Sequence, residues 1–190
     1  MALAYPELNP SPRLLLGPGP SSVHPRVLRA MATPLLGYMD PEFLKMLDET
    51  REMLRDTFQT NNELTLPVSG TGMSGMEAVL GNLLEPGDKL LVSAAGFFGN
   101  RLEELALRHG VAVAKIERPW GEVFTPEEIE AALKKSGAKA VALVHAETST
   151  GALQPMEGLG EVAHRHGALL IMDSVTSLGG VPVKLDEWGV

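Results

Sequence analysis

Residues 69–75 form a glycine-rich loop, SGTGMSG, whose composition suits an anion site. Free N–H groups at a helix start and the helix dipole attract phosphate, and small residues let it approach closely. The loop lacks the Lys-Ser/Thr ending of a P-loop. It matches the GxGxxG string of dinucleotide sites, but the acid expected at the next strand's end is missing, since the only nearby acid, Asp88, precedes that strand. A tight turn without a ligand is the other alternative.

Asp173 ends a second apolar run, Leu-Leu-Ile-Met at residues 169–172. A carboxylate at the tip of a buried strand needs a cation or hydrogen-bond donors. One such cation is the protonated ring nitrogen of a pyridine cofactor. The alternative is that Asp173 caps the following turn through Ser174 or Thr176.

Other groups follow the predicted strands. Phe97 and Phe98 lie between two glycines, and one ring could stack on a planar ligand, although Phe97 is expected in the core. The hydroxyls of residues 148–150 suit either a ligand or simple turn chemistry. His145 and Glu147 are candidate general bases, but a structural role is the more common one at such positions.

The elements that must position these groups alternate between strand and helix. Gly110, Gly137 and Gly167 each end a helical pattern, and Thr125-Pro126-Glu127-Glu128 begins one. This alternation of strands and helices predicts an α/β fold with a mostly parallel sheet flanked by helices. In such folds ligands bind at the carboxyl ends of the strands. Strands are expected at residues 64–68, 89–93, 111–116, 140–145 and 168–173. Helices are expected from about residue 24, and at 41–58, 73–84, 98–109, 126–136 and 159–166.

Composition excludes several classes of function. The net charge is −8 and there is no basic patch, so a nucleic-acid partner is not expected. There is no cysteine, which excludes disulfides, thiolate metal sites and cysteine nucleophiles. No metal site and no membrane segment are predicted, and no signal peptide is visible, so the cytoplasm is the default compartment.

The chain divides into two parts of unequal length. Five prolines in the first twenty residues predict an extended N-terminal arm over residues 1–21. Residues 22–190 then form one α/β domain. The last residues resemble the middle of a domain, with a further strand expected from Trp188, so the chain is interpreted as truncated.

Five segments of the chain are informative when they are taken together. They are GPGPSSVHPRV (17–27), SGTGMSGMEA (69–78), LEPGDKLLV (84–92), HAETSTGALQP (145–155) and MDSVTSLGG (172–180). In this combination the chain resembles the class V aminotransferases, and in particular the serine–pyruvate/alanine–glyoxylate branch. The resemblance runs in order from about residue 14 to the last residue.

The resemblance implies the large domain of a fold-type I enzyme that uses pyridoxal 5'-phosphate. Asp173 would pair with the pyridinium nitrogen, Phe98 would stack on the ring and Gly19 would approach the substrate carboxylate. Met73 stands where relatives carry His, which removes one polar group beside the phosphate. The implied cofactor-binding residues are Thr71, Gly72, Met73, Phe98, Thr148, Asp173 and Val175.

The same resemblance implies an activity and an assembly. The full-length protein would be a homodimer that moves an amino group from alanine or serine to glyoxylate or pyruvate. The Schiff-base lysine and the small C-terminal domain would follow Val190, so residues 1–190 alone would be inactive. A lyase or desulfurase of the same fold, a non-catalytic subunit and a dinucleotide-binding protein are the alternatives.

Overall fold

The computed structural model describes residues 7–190 and contains seven helices and six strands within that range. In chain order they are α1 (Pro25–Met31), α2 (Pro41–Phe58), α3 (Gly72–Leu83), β1 (Lys89–Ala94), α4 (Phe97–Arg108), β2 (Ala112–Glu117), α5 (Pro126–Ser136), β3 (Ala140–Val144), β4 (Ala146–Glu147), β5 (Ala152–Leu153), α6 (Leu159–Arg165), β6 (Leu169–Asp173) and α7 (Leu185–Trp188). No helix in this range is long and apolar enough to cross a bilayer.

Four strands form a parallel sheet in the order β2-β1-β3-β6. Val92 of β1 is paired with Ala142 of β3, which in turn is paired with Ile171 of β6. The chain runs outward from β1 to β2, crosses back to β3 and continues outward to β6. The predicted α/β fold with a mostly parallel sheet is therefore confirmed, and the strand order reverses between β1 and β3, where ligands bind in such sheets.

The core has one layer on each face of this sheet. On one face, α3 and α4 pack Leu80 and Leu102 against Val92 and Ala142. On the other face, α5 and α6 pack against the alternate strand residues, among them Leu91, Val141 and Leu143. Strands covered on both faces explain why the runs in the sequence are almost continuously apolar.

The predicted helix boundaries follow from local caps. Thr125 and Glu128 form a reciprocal capping box at the start of α5, and Gly137 ends it in the left-handed conformation. Asp40 caps α2 by accepting a hydrogen bond from the Glu42 N–H, with a proline in the first turn. The hairpin β4–β5, which carries residues 148–151 between its strands, was not predicted.

The strand predicted at residues 64–68 is not present. Leu64 and Leu66 are exposed, and no strand in residues 7–190 lies beside this segment. Its backbone carbonyls find a different partner, because the Arg51 guanidinium on α2 donates to the carbonyl oxygens of Glu63 and Thr65, both at 3.0 Å. A strand requires a neighbouring strand to pair with, which composition alone does not reveal.

The strand expected from Trp188 is also wrong, because residues 185–188 form the short helix α7. The Trp188 ring is buried against the imidazole of His145, with ring centroids 5.1 Å apart. From the same helix the Asp186 carboxylate accepts hydrogen bonds from the Thr60 hydroxyl and from the backbone N–H of Asn61. These bonds hold the segment before α3 against α7.

Residues 7–24, which include most of the predicted arm, contain neither helix nor strand and are exposed. Apolar side chains of this segment and of α1 stand largely in solvent, among them Leu14, Leu16, Val27 and Met31. Residues 1–6 lie outside the described part of the chain.

Candidate functional site

A cleft of about 140 Å³ opens beside the carboxyl ends of β3 and β6. The starts of α3 and α4 and the turn after β6 form its walls. All seven residues that the resemblance assigns to the cofactor line it, while Gly19 is exposed in the N-terminal segment and does not. The lining consists of Thr71, Gly72, Met73, Phe98, Val144, Thr148, Asp173, Val175 and Thr176.

The first wall of the cleft is the start of α3, whose backbone N–H groups are available to bind a ligand. Thr71 is the N-cap residue, but its hydroxyl makes no capping hydrogen bond. Within residues 7–190, the backbone N–H groups of Gly72 and Met73 have no acceptor, whereas that of Ser74 donates to the Thr71 carbonyl at 2.9 Å. Such free donors and the positive helix end favour an anion.

Gly72 is required by packing rather than by backbone conformation. A Cβ atom at this position would lie 2.6 Å from Cγ2 of Val175, closer than carbon atoms approach one another. The start of α3 therefore lies directly against the turn that follows β6. This contact brings the free N–H groups and Asp173 to the same cleft.

Asp173 supplies a buried carboxylate at the end of β6. It is 9% exposed, and its Oδ1 accepts a hydrogen bond from the Val175 N–H at 3.0 Å. Burial raises the pKa of Asp173, the negative charge of Glu147 adds to the rise, and the Val175 bond opposes it. No basic side chain in residues 7–190 forms an ion pair with it. Asp173 does cap the following turn, but through the Val175 N–H and not through Ser174 or Thr176, and its second oxygen stays available for a cation.

The second wall is the start of α4, and here the N–H groups are already occupied. The carboxylate of Glu147, 5% exposed, accepts hydrogen bonds from the backbone N–H groups of Phe98 and Gly99 at 3.1 Å. Ser149 extends the network, since its hydroxyl donates to Glu147 Oε1 at 2.7 Å and accepts from the Phe97 N–H at 3.0 Å. Glu147 does not line the cleft, so nothing in its position favours a general base.

Phe98 is half-buried and lines the cleft, whereas Phe97 does not. The expectation that Phe97 lies in the core is wrong, because its side chain is 53% exposed. It occupies the first position of α4 and meets only the edge of the Phe98 ring, with centroids 5.2 Å apart. Phe98 is therefore the one aromatic ring of the pair that a planar ligand in the cleft would contact.

The hydroxyl of Thr148 meets that of Thr176 across the cleft in a short hydrogen bond. Thr176 and Val144 are the two lining residues that the sequence did not assign to a ligand, Thr176 having been considered only as a turn-capping partner of Asp173. Thr176 follows Asp173 by three positions within the turn after β6, so its place beside a strand end was the available signal.

His145 has a structural position outside the cleft. Its imidazole is buried, its Nδ1 lies 2.9 Å from the Ser177 hydroxyl, and burial lowers its pKa. The neutral imidazole of His145 thus holds the turn after β6 in place. Residues 7–190 contain no cluster of three or more His, Asp or Glu side chains arranged to hold a metal ion.

Comparison with known proteins agrees with this geometry. The family model described as Aminotransferase class-V matches residues 14–190. The chain belongs to the class-V aminotransferases. This confirms the resemblance found in the sequence, and it explains the fold as that of the large domain of fold-type I enzymes, for which the family implies pyridoxal phosphate.

Two relatives within the class-V aminotransferases act on glyoxylate by name. The chain is 47% identical over 178 residues to the (S)-ureidoglycine–glyoxylate transaminase of Bacillus subtilis, covering 94% of this chain and 43% of that protein. It is 46% identical over 189 residues to the alanine–glyoxylate aminotransferase of Rattus norvegicus, covering 100% and 45%.

A solved structure has the same fold throughout. The alanine–glyoxylate aminotransferase of Nostoc sp. superposes with a TM-score of 0.97 at 54% identity, over 99% of this chain and 50% of that one. The chain thus spans about half the length of the class-V aminotransferases to which it is similar.

Proposed function

We propose that the intact protein is a pyridoxal-phosphate-dependent aminotransferase that moves an amino group from alanine or serine to glyoxylate or pyruvate. One observation carries this proposal. A single cleft brings together an uncapped helix start, an aromatic ring and a buried carboxylate that has no cation among residues 7–190. These are the three kinds of group that a phosphorylated, aromatic, cationic ring requires.

The phosphate end fits the start of α3. The N–H groups of Gly72 and Met73 would donate to phosphate oxygens, and the Thr71 hydroxyl lies at the same helix end. The methionine at position 73 offers only its backbone. The anion would thus be held by oriented dipoles rather than by a basic side chain, which agrees with the acidic composition of the chain.

The ring end fits the residues around Asp173. Bound pyridoxal phosphate supplies an electron sink, which works best when the ring nitrogen is protonated. The Asp173 carboxylate would accept the hydrogen bond of that nitrogen and balance its charge. Because burial alone raises the pKa of Asp173, a cationic partner would also relieve the cost of keeping this carboxylate ionised. Phe98 and Val175 would contact the faces of the ring, with Thr148 beside it.

The relatives' names favour glyoxylate as the acceptor, while alanine and serine both stay open as donors. We propose that Gly19 contacts the substrate carboxylate, that residues 22–190 belong to the cofactor-binding domain and that residues 1–21 form an arm. The exposed apolar side chains of the N-terminal segment and α1 suit a homodimer interface, and light scattering of the intact protein would show its mass. The cytoplasm is our proposed compartment, which cell fractionation tests.

The proposal is tested by purifying the intact protein and recording its visible absorption before and after borohydride. A bound chromophore that borohydride fixes, with conversion of alanine and glyoxylate to pyruvate and glycine, is the expected result. Asp173→Asn should lower kcat/KM by about 100- to 1000-fold, the size expected for lost electrostatic stabilisation. Asp56→Asn, which removes an exposed carboxylate from α2, is the matched control.

Two outcomes would contradict the proposal. A protein that binds no pyridoxal phosphate would be a non-catalytic member of the fold. A protein that binds it but releases products from the amino acid without consuming an oxo acid would be a lyase.

A further inference from the structure

Glu147 is a buried acid that the proposed reaction does not use, yet its carboxylate accepts more hydrogen bonds than any other carboxylate in residues 7–190. It accepts from the backbone N–H groups of Phe98, Gly99 and Ser149 and from the Ser149 hydroxyl, within 2.7–3.3 Å. An acid that serves only as a helix cap lies close in sequence to its helix. Glu147 instead reaches α4 from β4, 48 and 49 residues further along the chain.

The backbone around this carboxylate is shaped to admit it. Gly96, the N-cap residue of α4, offers no side chain to cap the helix, and a Cβ atom there would overlap the Glu147 side chain. The side chain of Glu147 thus takes the place that a local cap would occupy. Its two oxygens accept from α4 donors on one side and from Ser149 of the β4–β5 hairpin on the other, so they join the α4 wall of the cleft to the hairpin that carries Thr148.

These contacts lie next to the ring of Phe98. The N–H that Glu147 binds belongs to Phe98 itself, and Thr148, which also lines the cleft, follows Glu147 directly. We propose that Glu147, together with Ser149, is a positioning residue that fixes Phe98 and Thr148 relative to each other and so sets how the cofactor ring is held. This inference rests on the proposed function.

The same carboxylate has an electrostatic consequence. The negative carboxylate of Glu147 occupies the N–H groups at the start of α4 and offsets the positive end of that helix dipole. The start of α3 is therefore the helix start at the cleft that is left to attract a phosphate. Glu147 therefore both orients the ring-contacting residues and directs the anionic end of a ligand toward α3.

The test uses the intact protein, with Glu147→Gln as the variant and Glu127→Gln as the control. Like Glu147, Glu127 lies near the start of a helix, but it belongs to the first turn of α5 itself and is exposed. The dissociation constant of pyridoxal phosphate is measured by quenching of tryptophan fluorescence. The circular dichroism of its visible band reports how the ring is held. Unfolding of the cofactor-free proteins by urea is measured alongside.

We expect Glu147→Gln to weaken pyridoxal phosphate binding by about tenfold and to change the dichroism of the visible band, because an amide places N–H donors opposite N–H donors. Glu127→Gln should change neither. If Glu147→Gln only lowers the unfolding midpoint and leaves affinity and dichroism as in the parent, the residue is merely structural and the inference is wrong.

Ser149→Ala is the second variant, in case Glu147→Gln does not fold. Ser149 is exposed, so its loss should leave the fold intact while removing the hydroxyl between Glu147 and Phe97. The dichroism should change in the same sense as for Glu147→Gln, with affinity weakened about twofold to threefold. Unchanged dichroism and affinity would overturn the inference. Failure of the parent protein to bind pyridoxal phosphate would instead overturn the proposed function.

Discussion

The starts of α3 and α4 face the same cleft, and they differ in one respect. Neither has a capping hydrogen bond from its own N-cap residue, which is Thr71 in one and Gly96 in the other. At α4 a distant carboxylate from Glu147 fills the vacancy. At α3 no side chain in residues 7–190 does so. Under the proposed function, the anion site is made by withholding from α3 a cap that the neighbouring helix receives.

The two ends also differ in how tightly they are packed. The α4 start is closed over the Glu147 side chain, which leaves no space for a Cβ atom at Gly96. In the first turn of α3 the packing is uneven. A Cβ atom at Gly72 would lie 2.6 Å from Cγ2 of Val175, whereas nothing lies within 4 Å of a Cβ atom built at Gly75. The start of α3 is thus closed toward the turn after β6 but open at Gly75, and the following changes test this difference from α4.

Capping the start of α3 with a negative charge should have the largest effect, which is on the binding of pyridoxal phosphate. Thr71→Asp places a carboxylate where Glu147 stands at α4, and repulsion between charges about 4 Å apart is about 4 kcal/mol at an effective dielectric of about 20. Pyridoxal phosphate should therefore bind more than about 100-fold more weakly, as measured by fluorescence titration. The cofactor-free protein should be equally stable or up to about 1 kcal/mol more stable, since Asp is a favoured cap.

Thr71→Asn is the control, because it supplies a cap of the same shape without the charge. Equal binding by the Asp and Asn variants would show that the α3 start does not hold the phosphate.

Crowding the closed end should have the next largest effect. Gly96→Ala puts a methyl group into the Glu147 side chain, and overpacking of this kind costs about 1–3 kcal/mol. Gly75→Ala, where space is open, should instead add about 0.5–1 kcal/mol by favouring the helix. Urea unfolding of the cofactor-free proteins measures both changes. A neutral Gly96→Ala would mean that the α4 start is not rigid.

Removal of the Asp173 carboxylate, which lies between the two helix starts, should have the smallest effect on the stability of the cofactor-free protein. This effect should depend on pH. Because the pKa of Asp173 is raised in the folded state, the folded protein binds this proton more tightly than the unfolded chain. The protonated Asp173 therefore contributes its whole stabilisation at pH values below the pKa of the unfolded chain. This contribution is lost as the pH rises from the pKa of the unfolded chain through the pKa of the folded state. The slope cannot exceed one proton, about 1.4 kcal/mol per pH unit.

Asp173→Asn should accordingly gain stability relative to the parent as the pH rises from about 4, when cofactor-free proteins are compared by urea unfolding. Asp56→Asn, on the exposed side of α2, controls for the lost negative charge. If the difference in unfolding free energy between Asp173→Asn and the parent does not vary with pH, the pKa of Asp173 is not raised by the fold.

The features predictable from sequence were those set by near neighbours. The capping box of Thr125 and the left-handed Gly137 depend on residues within a single turn, and both are present. The alternation of strands and helices is also local, and it places Asp173 at the carboxyl edge of the sheet. The glycine-rich loop does meet Asp173 in the cleft, although the strand predicted before the loop is absent. The resemblance added Phe98 and Thr148, which do line the cleft.

Features that depend on distant partners could not be predicted. Residues 64–68 have the composition of a strand but no strand beside them, and Arg51 takes their carbonyls instead. The bonds of Glu147 join residues almost 50 positions apart, so the sequence favoured a structural role for this acid but could not show that the role is to cap α4. Phe97 has the hydrophobicity of a core residue, but its position on α4 turns it toward solvent.

The bonds from Thr60 and Asn61 to Asp186 have a consequence for the order of synthesis. Thr60 and Asp186 are separated by 126 positions, and a ribosome that adds about 5–20 residues per second needs about 6–25 seconds to cover them. Throughout that interval the bonds to Asp186 cannot form, whereas Arg51 of α2, which donates to the carbonyls of Glu63 and Thr65, has already been added. The segment that leads into the glycine-rich loop thus gains its bonds to Asp186 only when α7 has been added.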